Sequence, residues 1–198
     1  MGATKRVGEI ICRASNEKGK TKFISVRFGN VLNSRGSVIP IFKEQIKRGG
    51  PIEVTHPDMK RYFMLTSEAC LLVLQSGAMG QGGEVFVLDM GKPVKILDLA
   101  KEMIRLSGLV LDKDIVIVIT KPRPGEKLFE EMLTAEEGTI ATQNQKIFMA
   151  KLSGASAGGL YEKIENLEGA VFSLKKDKIA NALAEIVPSF KPGGFRPD

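Results

Sequence analysis

An α/β fold is predicted by three features of this 198-residue sequence. Segments with a 3.6-residue apolar period alternate with short β-branched or apolar runs, as stacked helices and strands require. One run, residues 115–119 (IVIVI), is continuously apolar, typical of a strand covered on both faces. Gly- or Pro-rich punctuation separates many of the segments. Three or four such strands make at most half of a doubly wound sheet.

Residues 1–18 read as a helix, because Val7, Ile10, Ile11 and Ala14 repeat at the spacing of one helical face. Lys22–Phe28 (KFISVRF) reads as a strand that Gly29-Asn30 ends, and the SRGS segment 34–37 as a loop. A second helix carries Val38, Ile39, Phe42 and Ile46 and is stopped by Gly49-Gly50-Pro51. Strands at about 52–55 and 61–65 flank the turn-rich His56-Pro57-Asp58. The helix at 67–79 is apolar nearly all round, which predicts burial on several sides. Strand 84–88 follows a Gly-rich turn, and helix 94–106 has an apolar stripe of Ile96, Leu99, Ala100, Met103 and Ile104. Beyond strand 115–119, the loop KPRPGEK leads to a predicted helix containing Leu128, Phe129, Met132 and Leu133. A strand near 146–150, a Gly/Ser/Ala linker at 153–159 and helices near 160–167 and 174–187 follow, with the final KPGGFRPD expected to be disordered. The chain therefore divides into a main region, 1–150, and a helical tail, 151–198.

Composition narrows the function. Hydrophobic residues make up 43% of the chain, enough for a core, but aromatics are only 6% and Trp is absent. The net charge of +6 comes from Lys and Arg spread along the chain, with no nucleic-acid motif, so no nucleic-acid partner is expected. The longest apolar run, Ala69–Leu74, falls far short of the roughly 20 residues of a membrane span. No apolar stretch follows the basic N-terminus as in a secretory signal, so a cytoplasmic chain without membrane contact is expected. Cys12 and Cys70 sit among apolar neighbours and read as buried, reduced structural residues. With one His and no close Cys pair, no metal site is expected.

A dinucleotide-binding unit would open with a strand, a Gly-rich turn and a helix. Here Gly80–Gly83 (GQGG) precedes a strand instead of following one, and Gly19-Lys20-Thr21 lacks the upstream Gly of a phosphate loop. The sequence thus reads as a fragment, or as a small domain without a nucleotide fingerprint.

Three sets of residues carry more information: Met1-Gly2-Ala3-Thr4-Lys5-Arg6; Val26–Leu32 (VRFGNVL) with Ser34–Pro40 (SRGSVIP); and Thr55–Met64 (THPDMKRYFM) with Arg123–Leu128 (RPGEKL). Together they resemble the extended short-chain dehydrogenase/reductase superfamily. More closely, they resemble the polysaccharide-biosynthesis dehydratases that act on UDP-N-acetylglucosamine. The resemblance covers about residues 1–150. It implies the C-terminal part of an extended Rossmann-like, doubly wound fold plus a small substrate-binding lobe, with the N-terminal dinucleotide-binding half absent. It also implies NAD as cofactor, bound mainly by that absent half, a UDP-sugar substrate and possible homo-oligomers at full length.

In that superfamily a Tyr-x-x-x-Lys pair shares one helix face, since a spacing of four brings side chains together. Lys5 matches the Lys, which holds the nicotinamide ribose, and Met1 stands at the Tyr position. Met1 is either a start codon there or the residue that the C5-retaining, membrane-anchored dehydratases carry; the second is favoured. Met has no titratable proton, so the acid and base of the elimination fall to a Thr-Asp-Lys triplet expected upstream. The resemblance places Phe28, Gly29 and Asn30 near the nicotinamide. It gives the substrate Asn30, Ser37, Val38, Pro40, Phe42, Arg61, Arg123 and Glu126, with the two arginines on the diphosphate and Glu126 on ribose hydroxyls. Each also has an ordinary interpretation: Asn30 as a turn residue, Arg61 and Arg123 as surface charges, Glu126 as an N-terminal helix charge, Pro40 and Phe42 as packing. His56 reads as structural or exposed. A related nucleotide-sugar epimerase and a non-catalytic binding module are the alternatives.

Overall fold

The computed structural model describes residues 2–16, 19–123, 125–130, 138–151 and 159–190. In chain order the elements begin with α1 (Gly2–Asn16), β1 (Ser25–Arg27), β2 (Asn30–Val31), α2 (Val38–Lys47) and β3 (Ile52–Val54). They continue with β4 (Lys60–Arg61), β5 (Phe63–Met64), α3 (Thr66–Met79), β6 (Val85–Leu88) and β7 (Val94–Lys95). Next come α4 (Ile96–Leu106), β8 (Ile117–Ile119), β9 (Thr139–Ala141), β10 (Ile147–Ala150), α5 (Leu160–Phe172) and α6 (Lys176–Ile186).

The main sheet has the order β1-β6-β10-β9. β1 runs parallel to β6, with Val26 opposite Phe86, and β10 returns antiparallel to both β6 and β9. All four residues of β6 are buried. Alternation sends Phe86 and Leu88 toward α3, where they meet Met64, Ala69, Leu72, Met90 and Ile147. Val85 and Val87 join Ala150 in a separate cluster. The α5–α6 hairpin is seated on α1, since Leu160, Ile186 and Val187 pack with Val7, Ile10 and Ala14. The helical tail is thus integral to the main body.

A second lobe is built on β3 and β8, which pair in parallel. Its core holds Phe42 of α2, Ile52 and Val54 of β3, Met59, Ile115, and Ile96, Ala100 and Ile104 of α4. The predicted stripe of α4 therefore faces this core. Two short pairings join the lobes' loops: β2 with β5, and β4 with β7.

Four expectations change. The apolar run at 115–119 is not covered on both faces: Ile115 is buried and Ile117 packs on the lobe core, but Val116 and Val118 on the opposite face, and Ile119 at the strand's end, are exposed. Burial on both faces belongs to β6, whose Phe86 and Leu88 join one buried cluster and Val85 and Val87 another. α3 is not buried all round, for only Ala69, Leu72 and Ser76 are, while Leu71 and Leu74 are 57% and 71% exposed. Cys70 lies on that outer side and is exposed, and Cys12 is half-buried; both are free thiols. Finally, Leu128 and Phe129 are not helical: Phe129 bridges to Lys60, and Lys60 N–H donates to the Leu128 carbonyl. The rest of that predicted helix lies outside the described residues, as do the linker at 153–158, the 191–198 tail and Met1. Among the described residues no helix is long and apolar enough to cross a membrane.

Candidate functional site

α1 is tied to β1 at two points. Near its C-terminal end, Asn16 donates from Nδ2 to the Phe23 carbonyl and accepts at Oδ1 from the Phe23 N–H, both at 2.9 Å. Gly82, at φ +116, lies against Asn16; a Cβ there would come within 2.5 Å of Asn16 Oδ1. Further up, Arg27 grips Glu9 with both edges of its fork, Nε to Oε1 at 2.6 Å and Nη2 to Oε2 at 2.8 Å. Arg6 Nη1 adds a 2.7 Å bond to Glu9 Oε2. The helix therefore runs opposite to β1. Lys5, one turn before Glu9 and on the same face, lies about 6 Å further along. Lys5 itself is exposed.

Gly29 is a point of close approach. A Cβ there would stand 2.9 Å from Tyr62 Cβ and 3.2 Å from Met90 Cε, so no larger residue fits without displacement. Asn30 follows in β2 and is not a turn residue; its N–H donates to the Tyr62 carbonyl at 2.9 Å, opposite Phe63. This pairing brings Phe28, Gly29 and Asn30 beside the segment that carries Arg61.

Arg61 is only 12% exposed in its side chain. Its Nη1 donates to the Lys60 and Leu128 carbonyls at 2.8 and 3.2 Å. Nη2 faces Glu126 and Nε faces Glu130, each at 3.6 Å, longer than a hydrogen bond. Glu126 closes the turn that Gly125 (φ +79) allows. The Arg123 N–H donates to Glu126 Oε2 at 3.0 Å, and the Glu126 N–H donates to the Arg123 carbonyl at 2.9 Å. The Arg123 side chain is exposed. Lys60 Nζ lies 5.7 Å above the Phe129 ring, bracing the same segment.

At the start of α2, Ser37 has its Oγ buried without a hydrogen-bond partner and makes no side-chain cap. Val38 and Pro40 are half-buried in the first turn, where proline's missing N–H costs no helical bond. Phe42, expected among the substrate residues, is instead a core residue at 1% exposure, its ring spent on packing with Ile52 and Val54. His56 is structural: its Nδ1 accepts the Asp58 N–H at 3.1 Å, within the turn. No group of three or more His, Cys, Asp or Glu residues able to hold a metal occurs among the described residues.

The structure thus gathers Asn30, Arg61, the Arg123–Glu126 turn and Gly29 around β2, β4 and β5, with the α1 face bearing Lys5 tied alongside. Tyr62, Met90, Glu130, Glu9 and Arg27 belong to the same surroundings and escaped prediction as site residues. Their contacts join residues 18 to 69 apart, which no periodicity reveals.

Residues 1–152 match the family of polysaccharide biosynthesis proteins. The chain belongs to that family. Capsular polysaccharide biosynthesis protein CapD of Staphylococcus aureus is 54% identical over 182 residues, which is 91% of this chain and 30% of CapD. The UDP-glucose 4-epimerase of Rickettsia bellii is 34% identical over 140 residues, 69% of this chain and 40% of its own. Among solved structures, Pen from Bacillus thuringiensis superimposes with a TM-score of 0.67 at 35% identity, over 78% of this chain and 48% of Pen. DesIV, a dTDP-glucose 4,6-dehydratase from Streptomyces venezuelae solved with NAD, shares the fold at a TM-score of 0.52 and 19% identity, over 61% of this chain and 38% of its own. The chain of this polysaccharide biosynthesis family member therefore spans about a third of CapD's length and half of Pen's. Its fold is that of part of an extended short-chain dehydrogenase/reductase.

Proposed function

We propose that the chain is the sugar-nucleotide-holding part of an NAD-dependent nucleotide-sugar 4,6-dehydratase, acting on UDP-N-acetylglucosamine for capsule or glycan synthesis. The seating of Arg61 carries the proposal. Its guanidinium is nearly buried and anchored at Nη1 by two carbonyls, while its Nε–Nη2 edge meets carboxylates only at 3.6 Å. An anchored planar fork suits the oxygens of a diphosphate. Arg123, exposed on the adjoining turn, is the second donor, and Glu126 turns to the ribose hydroxyls. The free N–H groups at the start of α2 and the orphaned Ser37 Oγ suit a further anionic or hydroxyl group, beside Val38 and Pro40. Asn30 can both donate to and accept from the sugar.

NAD, when bound, accepts and returns the hydride. Lys5, exposed on α1 one turn before the Glu9 that Arg27 grips, would hold the nicotinamide ribose of that cofactor, with Phe28 and Gly29 backbone groups near the amide. No Gly-rich strand-turn-helix unit for the pyrophosphate occurs among the described residues. By the resemblance, the acid and base that remove the C5 proton and the C6 hydroxyl are a Thr-Asp-Lys triplet, which these 198 residues do not contain, so binding without turnover is expected of them. The names of the CapD relative and the DesIV structure agree with capsule synthesis and dehydration, respectively.

The Rickettsia bellii relative favours a second reading, a UDP-sugar 4-epimerase fragment, which would use the same Lys5, Asn30 and arginines. Upstream coding sequence separates the two: Thr-Asp-Lys marks dehydration, Ser or Thr with Tyr marks epimerisation. Titration calorimetry with UDP-N-acetylglucosamine tests the site itself. Weak binding is expected, lowered about tenfold or more in Arg61→Ala and less in Arg123→Ala. Absence of binding sinks the proposal, and formation of a 4-keto-6-deoxy sugar by the 198-residue chain sinks the division of labour.

A further inference from the structure

The α5–α6 hairpin is built unevenly along its length. Its packed residues lie at one end: Leu160, Ile164 and Leu167 of α5, with Leu183 and Ile186 of α6, against α1. Beyond Leu167, α5 continues for five residues, about 8 Å, to a tip that belongs to no core cluster. Three large apolar residues are exposed there: Val171 at 47%, Phe172 at 78% and Leu174 at 85%.

Leu174 is also strained. It stands just past the C-cap of α5 at φ +55, where Gly or Asn is the ordinary choice. A β-carbon is costly at that position, and an exposed Leu recovers nothing from packing. Beside it, Lys175, Lys176 and Lys178 are exposed and have no ion pair among the described residues, unlike Lys95 and Lys146, which pair with Asp58 and Glu68. Asp177 is the one acid among them. A second acid, the exposed Glu168, lies one turn before Phe172, while Glu162 and Glu165 on α5 and Glu185 at the far end of α6 stand back from the tip. Exposed apolar side chains next in sequence to exposed lysines match a bilayer with negative headgroups.

We propose that the α5–α6 tip docks on an anionic phospholipid surface, Phe172 and Leu174 entering the headgroup boundary while Lys175, Lys176 and Lys178 meet the headgroup phosphates. It departs from the expectation, drawn from the sequence, of no membrane contact. It is independent of what the sugar-nucleotide site binds.

Co-sedimentation of the full chain with vesicles tests it. Binding is expected to vesicles of equal parts phosphatidylcholine and phosphatidylglycerol, to fall with added salt, and to be absent from phosphatidylcholine alone. Phe172→Ser with Leu174→Gly should lower binding about tenfold or more. The Gly suits the positive φ, so the thermal midpoint of Leu174→Gly alone should be unchanged or higher; loss of vesicle binding therefore reads as a lost contact and not as unfolding. Replacing the three lysines with Gln should abolish the salt dependence. Equal binding by the apolar variant and the wild type overturns the proposal. So does a wild-type chain that ignores both vesicle types, or that instead dimerises through the tip, with Leu174→Gly returning it to monomer in sedimentation velocity.

Discussion

α3 and α4 are successive helices of similar length, one on each lobe, that bury very different shares of their apolar residues. α4 alternates apolar and charged positions, and its buried residues, Ile96, Ala100 and Ile104, all come from the expected stripe. α3 carries apolar residues on nearly every side, yet Ala69, Leu72 and Ser76 alone are buried. Contrast along a helix says which face is covered; uniform apolarity does not say how many faces are. On α3 the main sheet supplies one partner surface, toward Phe86 and Leu88, and the described chain brings no second one to Leu71 and Leu74.

The largest effect should come from the packed side of this pair. Ile104→Ala, at 1% exposure, should lower stability by about 2–4 kcal/mol in urea unfolding, through lost contacts and the cavity left behind. A cost under about 1 kcal/mol would mean that the α4 lobe is loosely packed and the contrast with α3 overstated.

A smaller effect is expected where the chain leaves α3. Burial disfavours the charged form of Glu84, but N–H groups of Gln81 and Gly82, with Lys22 nearby, outweigh it and hold the carboxyl below the ordinary 4.5. Those donors lie at 2.8 and 2.7 Å. A lowered folded value stabilises above the unfolded one, so this contribution is present at neutral pH and fades as pH falls below 4.5. Glu84→Gln should cost about 1 kcal/mol at neutral pH and flatten the acid limb of the stability curve. An unchanged acid limb would show that the turn after α3 is held by other contacts.

The smallest effect belongs to the open side of α3. Leu74→Gln should change stability by no more than about 0.5 kcal/mol in the same unfolding measurement. A loss comparable to that of Ile104→Ala would mean that the outer face of α3 is covered in solution.

Much of the fold was legible because its determinants are local. The stripe on α4, the Gly49-Gly50-Pro51 stop after α2 and the apolar face of α1 each act within one or two turns. The candidate site was named in a different way, through motifs: Lys5, Asn30, Arg61, Arg123 and Glu126 come from segments far apart in the chain. Their surroundings were not. The 3.6 Å approach of Glu130 to Arg61 and the two-edged grip of Arg27 on Glu9 depend on how a distant loop and helix α1 are seated against the strands.

The amino-acid order alone determined the type and sequence of most elements, because periodicity and turn chemistry are properties of short stretches. Tertiary structure decided which apolar runs became interior: β6 and not the run at 115–119, one side of α3 and not all of it. It also decided that Phe42 serves the core and Leu174 stands in solvent. Burial is set by whatever surface a distant segment brings, and a residue's own neighbours in sequence carry no record of that surface.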